Sequence, residues 1–222
     1  DLVRSRGLGD VYKRQLIKQG DKNKPNGQNV SLAAMQDLGM LTMANNFDNE
    51  VEIIQSRTLL KKVVNALNLN ITYAEKRTFG YPKQLYKSTP VQVWMSPEEA
   101  DKLPSPLQIQ LDYTPDGKVQ AEAYFICNRE RQTISKHFDK LPGVLVTPVG
   151  TITLSPKDSV GLQNTHTIYA TIVTPTAAAG SCKARLTAKP TSKVTTIVQL
   201  NYNDTHIGRG MDFLNTLVAL YN

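Results

Sequence analysis

The sequence predicts an α+β fold, a mixed sheet packed by one long amphipathic helix and several shorter ones. Three observations predict it. In Asn49–Asn70, NEVEIIQSRTLLKKVVNALNLN, Val51, Ile54, Leu59, Val63 and Leu67 recur at helical spacing, and Leu60 and Val64 widen the stripe. Such a stripe marks an amphipathic helix, here of about 20 residues and roughly 30 Å. Runs such as Val91–Met95, Leu107–Tyr113 and Lys118–Cys127 alternate apolar and polar residues and read as strands. Helices and strands follow one another without regular βαβ alternation, which favours α+β over a parallel α/β sheet.

The elements follow in order. Asp1–Gln15, DLVRSRGLGDVYKRQ, has no sustained period and is expected to be a non-native leader that resembles a translated sequencing adapter. It holds four basic and two acidic residues, so without it the formal charge falls from +7 to +5. Its Gly7 and Gly9 lack the third glycine and preceding strand of a nucleotide loop. Leu16-Ile17-Lys18 reads as the tail of a strand, and Asp21–Asn29 as a polar loop. Ser31 can cap a short helix through Leu41, and Asp48 or Asn49 the long one. Asn68–Tyr73 exits into an extended piece, and Tyr73–Tyr86 is irregular.

Val91–Met95 then reads as a strand that places Trp94 in the core or half in it. Glu98-Glu99, behind Pro97, reads as a solvated helix start. Pro115-Asp116-Gly117 joins Leu107–Tyr113 to Lys118–Cys127 as a hairpin. Arg129-Glu130-Arg131 makes the next turn and Thr133–Phe138 a further strand. Pro148 confines Val144–Leu154 to an edge or a break. His166–Val173 is a strand, Pro175–Leu186 a short alanine-rich helix and Val194–Tyr202 a strand. Asp204 or Thr205 can cap a last helix from Ile207 whose apolar face is Met211, Leu214, Leu217, Val218 and Tyr221. That helix reaches Asn222 with no glycine cap and no basic last turn, and is expected to continue in a longer parent. Residues 16–222 are thus read as a single domain, truncated at both ends.

Composition narrows the function classes. A chain of 222 residues buries about 70% of its unfolded surface and requires no staple. No apolar run approaches the ~18 residues of a membrane span, and the N-terminus lacks the apolar core of a signal peptide. The basic residues are dispersed, with runs no longer than Lys61–Lys62, which speaks against nucleic acid. A mildly basic surface suits anionic lipid or acidic polysaccharide better. Cys127 and Cys182 can be two buried thiols or, in an oxidising compartment, one disulfide.

Catalytic chemistry is not legible. His137, His166 and His206 lack metal-ligand spacing; His137 beside Asp139 and His206 beside Asp204 read as surface pairs. No nucleophile elbow or phosphate loop occurs, and no carboxylates form a persuasive pair. The expectation is a chain without cofactor, metal or catalytic residues. Trp94 and the tyrosines could stack on sugars, so a secreted carbohydrate-binding module is the alternative reading.

Six segments taken together resemble the periplasmic region of the polysaccharide chain-length determinants, the Wzz-type polysaccharide co-polymerases. The likeness is to the branch joined to a tyrosine autokinase in capsule and exopolysaccharide export. Leu16-Ile17-Lys18 resembles the end of that family's first strand, and Leu32–Leu41 its short helix. Asn49–Leu69 resembles its long helix through Glu50, Glu52, Ile53, Ile54 and Ser56. Gln84–Val93 carries Tyr86, Pro90 and Val91. Pro142–Leu154 carries Thr147, Pro148, Gly150 and Leu154. Asp204–Asn222 carries Gly210, Asp212, Phe213, Leu214, Asn215, Leu217 and Tyr221.

The resemblance implies a Wzz-type base domain on the periplasmic face of the bacterial inner membrane, held there by flanking helices outside this sequence. It implies a homo-oligomer that acts with a polysaccharide polymerase and the growing glycan, and sets the length of a capsular, exo- or O-antigen polysaccharide without cutting or joining sugars. A cytoplasmic tyrosine kinase in the parent is compatible with it, but no kinase segment occurs here. Glu50, Glu52, Arg57, Lys61 and Arg209 are the candidate subunit-interface residues, set against a plain solvated helix face.

Overall fold

Every strand pairing among the described residues is antiparallel, so the α+β class holds while the expected mixed sheet gives way to three antiparallel ones. The structure is a computed structural model that describes residues 9–16, 48–77, 79–114, 116–157, 166–190 and 197–222. It divides into two units, one of Asp1–Leu60 with Cys182–Asn222 and the other of Lys61–Ser181. The expected helix at Ser31–Leu41, the loop at Asp21–Asn29, and Ile17 and Lys18 lie outside the described residues.

In the first unit, β1 (Gly9–Leu16) and β11 (Leu186–Pro190) flank β12 (Ile197–Asp204). Seven of the eight β1 residues belong to the segment read as a leader; Gly9 pairs with Asp204 and Leu16 with Ile197. Along β12 every second residue, Val198, Leu200, Tyr202 and Asp204, is buried. Helix α5 (Ile207–Tyr221) buries Gly210, Phe213, Leu214, Leu217 and Val218, and its Phe213 ring stacks on Tyr202 with centroids 4.1 Å apart.

The long helix is two helices. Residues 48–54 form α1 and Arg57–Leu67 form α2. The Gln55 and Ser56 amides donate to the carbonyls of Val51 and Ile53, closing α1. The Ser56 hydroxyl then accepts from the Leu59 amide at 3.3 Å, and its carbonyl from the Leu60 amide at 3.0 Å. Serine thus restarts the helix as an N-cap, because its side chain competes for the backbone donors a continuous helix would use. At the far end Asn68 takes φ 51°, the Leu69 amide reaches the Val64 carbonyl at 2.9 Å and the Asn68 amide that of Asn65 at 3.4 Å. This is a Schellman stop with asparagine in the left-handed position.

The second unit contains two sheets. One has the order β3-β2-β10-β5-β6-β7, from β2 (Ile71–Glu75), β3 (Lys83–Leu85), β5 (Leu107–Tyr113), β6 (Val119–Cys127), β7 (Glu130–Phe138) and β10 (His166–Ile172). The other runs β4-β9-β8, from β4 (Val91–Trp94), β8 (Gly143–Thr147) and β9 (Gly150–Pro156). Both contribute to one apolar core, including Ile109, Leu111 and Ile168 from the first and Val93, Leu145, Ile152 and Leu154 from the second. Sheet therefore covers sheet here, where the sequence led us to expect the long helix as cover.

The Leu107–Cys127 hairpin forms as expected. The next turn sits at Asn128-Arg129, both at positive φ, one residue before its expected place. That geometry matches the right-handed twist of the flanking strands. Pro148 lies in the tight turn between β8 and β9, closed by the Thr147 hydroxyl donating to the Gly150 carbonyl at 2.7 Å. Helix α3 (Pro97–Asp101) opens on Ser96, whose hydroxyl accepts from the Glu99 amide and donates to the Glu99 carboxylate, each at 3.2 Å. Glu99 is half-buried and also accepts from the Thr151 amide, so it is not the solvated residue the sequence suggested. Helix α4 (Pro175–Arg185) matches the alanine-rich helix read from the sequence.

Candidate functional site

The candidate interface charges fall into two groups. Glu52 and Arg57 are exposed, on α1 and on the first turn of α2. The other three are engaged inside their own unit. Glu50 on α1 accepts a short hydrogen bond from the Tyr221 hydroxyl at the end of α5. Partial burial, and then that carboxylate, push Tyr221 up to about 12. Lys61 on α2 meets Asp101 of α3 at 2.7 Å.

Arg209 is the most committed. Its Nη2 donates to Asp204 Oδ1 at 2.6 Å and its Nε to Oδ2 at 2.9 Å, with the side chain 12% exposed and that of Asp204 fully buried. Arg185 adds a longer contact at 3.5 Å. Asp204 also accepts from the His206 amide at 2.8 Å. The cap of α5 is His206, whose Nδ1 accepts from the Arg209 amide at 3.3 Å, rather than Asp204 or Thr205. Asp204 is unavailable as a cap because it continues the inward register of β12. Burial alone would raise its pKa, yet the Arg209 and His206 hydrogen bonds hold its carboxyl below the usual carboxylate range. Beside it the Tyr202 hydroxyl donates to the buried Cys182 thiol at 3.5 Å, and burial pushes both groups up. Cys182 and Cys127 are free thiols.

Trp94 is not a core residue. Val91, Val93 and Met95 point into the core of the second unit, while Trp94 is 44% exposed and shares the outer face with Gln92. Across that face Trp94 pairs with Thr153, and Thr153 in turn with Val144; Ser155 pairs with Gln92 and Thr151 with Val146. The result is a face of one indole, two exposed valines, hydroxyls and an amide, with the Lys136 ammonium donating to the Val144 carbonyl at 2.8 Å.

Among the described residues no His, Cys, Asp and Glu groups gather in a set that could hold a metal ion. His137 makes the surface pair read from the sequence, 3.4 Å from Asp139. No helix among those residues is long and apolar enough to cross a membrane. No protein-family model matches the chain, and no curated protein matches it.

Sequence reading missed the Asp204 cluster and the outward Trp94. Both had a signal in strand parity: Asp204 falls in phase with Val198, Leu200 and Tyr202, and Trp94 in phase with Gln92.

Proposed function

We propose that the chain is the non-catalytic periplasmic domain of a membrane protein that controls the chain length and export of a capsular, exo- or O-antigen polysaccharide through oligomeric assembly. In that reading it is a Wzz-type base domain, anchored in the inner membrane by helices on either side of this sequence. The observation that carries the reading is the order of six motif segments along the chain. The Glu50–Tyr221 bond adds support, because it joins the long-helix motif to the last helical motif. Exposed Glu52 and Arg57 are the pair left to meet a neighbouring subunit, where ordered ion pairs fix register more than they add affinity.

The test is to replace Glu52 and Arg57 together by glutamine in the full-length parent, then measure polymer length on a gel and subunit number by light scattering. A shifted length distribution or a lower oligomer supports the interface role; unchanged length and oligomer reject it. The intact reading frame should also carry hydrophobic spans of ~20 residues on both flanks, and a frame without them rejects the anchored parent.

The Trp94 platform favours a second reading, a secreted carbohydrate-binding module. An exposed indole among hydroxyl and amide side chains suits stacking against a sugar ring. Titration with neutral glycans, followed by Trp94 fluorescence, separates the two: affinity lost in Trp94→Ala, in a chain that stays monomeric, favours the module.

A further inference from the structure

The β2–β3 hairpin ends in a loop with an unusual surface. Phe79 is 89% exposed and Tyr81 80% exposed, the two most exposed large apolar side chains among the described residues. Gly80 between them takes φ +87°, and a Cβ placed there would meet nothing within 4 Å. The chain therefore turns tightly in open space and holds an aromatic ring on either side of the turn. Pro82 follows, which removes one backbone donor that would otherwise need water.

The charge around the rings has one sign. Lys76, Arg77 and Lys83 are exposed at the two feet of the loop, and no acidic residue occurs between Lys76 and Pro90. The nearest carboxylate in sequence is Glu75, half-buried and opposite Lys83 in the strand register. Two aromatic side chains kept out of the core, with cations at their base, combine an apolar signal with an electrostatic one. Together these are the two signals that hold a protein at an anionic lipid surface.

We propose that the loop of residues 76–83 is a lipid-contact finger: Phe79 and Tyr81 enter the interfacial zone of a bilayer while Lys76, Arg77 and Lys83 sit against anionic headgroups. Aromatic rings favour that zone, and burying them there removes their apolar area from water. An acidic glycan fits less well. Sugar stacking needs a ring backed and oriented by its neighbours, and rings exposed to this degree have almost no backing. The Trp94 platform, by contrast, has neighbours on its sheet that can back a ring. The finger needs no polysaccharide and no second subunit, so it stands apart from the assembly reading.

The experiment is flotation of the 222-residue chain with vesicles of phosphatidylglycerol mixed with phosphatidylcholine, and with vesicles of phosphatidylcholine alone. Circular dichroism confirms folding of each variant. The chain is expected to float with the anionic vesicles, and less as salt rises, because screening shortens the reach of the cations. The F79A/Y81A variant should lose about tenfold or more in partition, and K76Q/R77Q/K83Q should lose a comparable factor together with the salt dependence. A Phe79→Trp reporter in a Trp94→Phe background should shift to the blue on binding and be quenched by brominated lipid.

No flotation of the starting chain overturns the proposal. So does vesicle binding that both multiple variants leave unchanged. Loss of polygalacturonate binding in F79A/Y81A with vesicle binding unaltered would assign the loop to acidic glycan instead. Loss of an oligomer in that variant, again with vesicle binding unaltered, would assign it to a second copy of the chain.

Discussion

The two units solve the problem of an ordered interior differently. In the second unit, two antiparallel sheets meet through aliphatic side chains. A notable polar link in that interior is the Tyr73 hydroxyl, which accepts from the Val93 amide at 2.9 Å and donates to the Val93 carbonyl at 3.2 Å. In the first unit, the buried register of β12 ends on a carboxylate clamped by Arg209, with Arg185 and the His206 amide completing its shell. Apolar interfaces gain from area and tolerate changes that keep volume. A buried ion gains only when every partner is present, so removing one costs more than the pair contributes. The second unit is therefore held by volume and the first by completeness.

Asp204→Ala gives the largest expected effect. It strands a nearly buried guanidinium and should cost about 3–5 kcal/mol. Urea unfolding measures the loss, and hydrogen exchange should place it in β11, β12 and α5. Acid supplies a second handle on the same group. Its folded pKa lies below its unfolded one, so its stabilising contribution is full above the unfolded value of about 4 and fades as pH falls through the folded value. A pH series should show that loss in the starting chain, and Asp204→Ala should flatten it. A cost under about 1 kcal/mol would break the contrast between the units, because Arg209 would then need no carboxylate.

Tyr73→Phe tests the other side. It keeps the ring and its packing but leaves the Val93 amide, on the edge strand β4, without its partner. Burial, only partly offset by the Val93 hydrogen bond, pushes the Tyr73 phenol up to about 12, in keeping with a hydroxyl that stays neutral. The cost should be about 1–3 kcal/mol, with faster exchange confined to β4. A loss as large as that of Asp204→Ala would mean that the second unit also depends on a polar keystone rather than on volume.

How much of this was legible beforehand follows from what each signal encodes. Alternation identified the strands of the hairpin and its neighbours, and Pro115-Asp116-Gly117 identified the hairpin itself, because period and turn chemistry are local; no such alternation was read in β1, β3 and β11, which were missed. Pairing partners are not local, so nothing in the chain separated one mixed sheet from three antiparallel ones. Parity did carry the positions of Asp204 and Trp94; what overrode it was the habit of placing tryptophan inside and carboxylates outside. Ser56 was hidden for a different reason, since a stripe of apolar residues continues across it and only a hydroxyl-to-amide bond reveals the break. Ser56→Ala should therefore destabilise α2 by about 1 kcal/mol, visible as faster exchange at the Leu59 amide. Unchanged exchange there would make the interruption a product of tertiary packing instead.

The smallest expected effect isolates the variable behind the contrast. Lys61–Asp101 closes at 2.7 Å and Arg209–Asp204 at 2.6 Å, so by distance the two ion pairs are equals. They differ in surroundings: the first pair is 37% and 34% exposed, the second 12% and 0%. Water screens the first, and two flexible side chains must be ordered to form it, so Lys61→Ala should cost at most about 1 kcal/mol. That cost should shrink further in high salt, whereas the Asp204→Ala loss should persist there, because buried charges are screened much less. If the two substitutions proved equally costly and equally sensitive to salt, burial would not be what separates the pairs, and the first unit would lose its claim to a distinct mode of stabilisation.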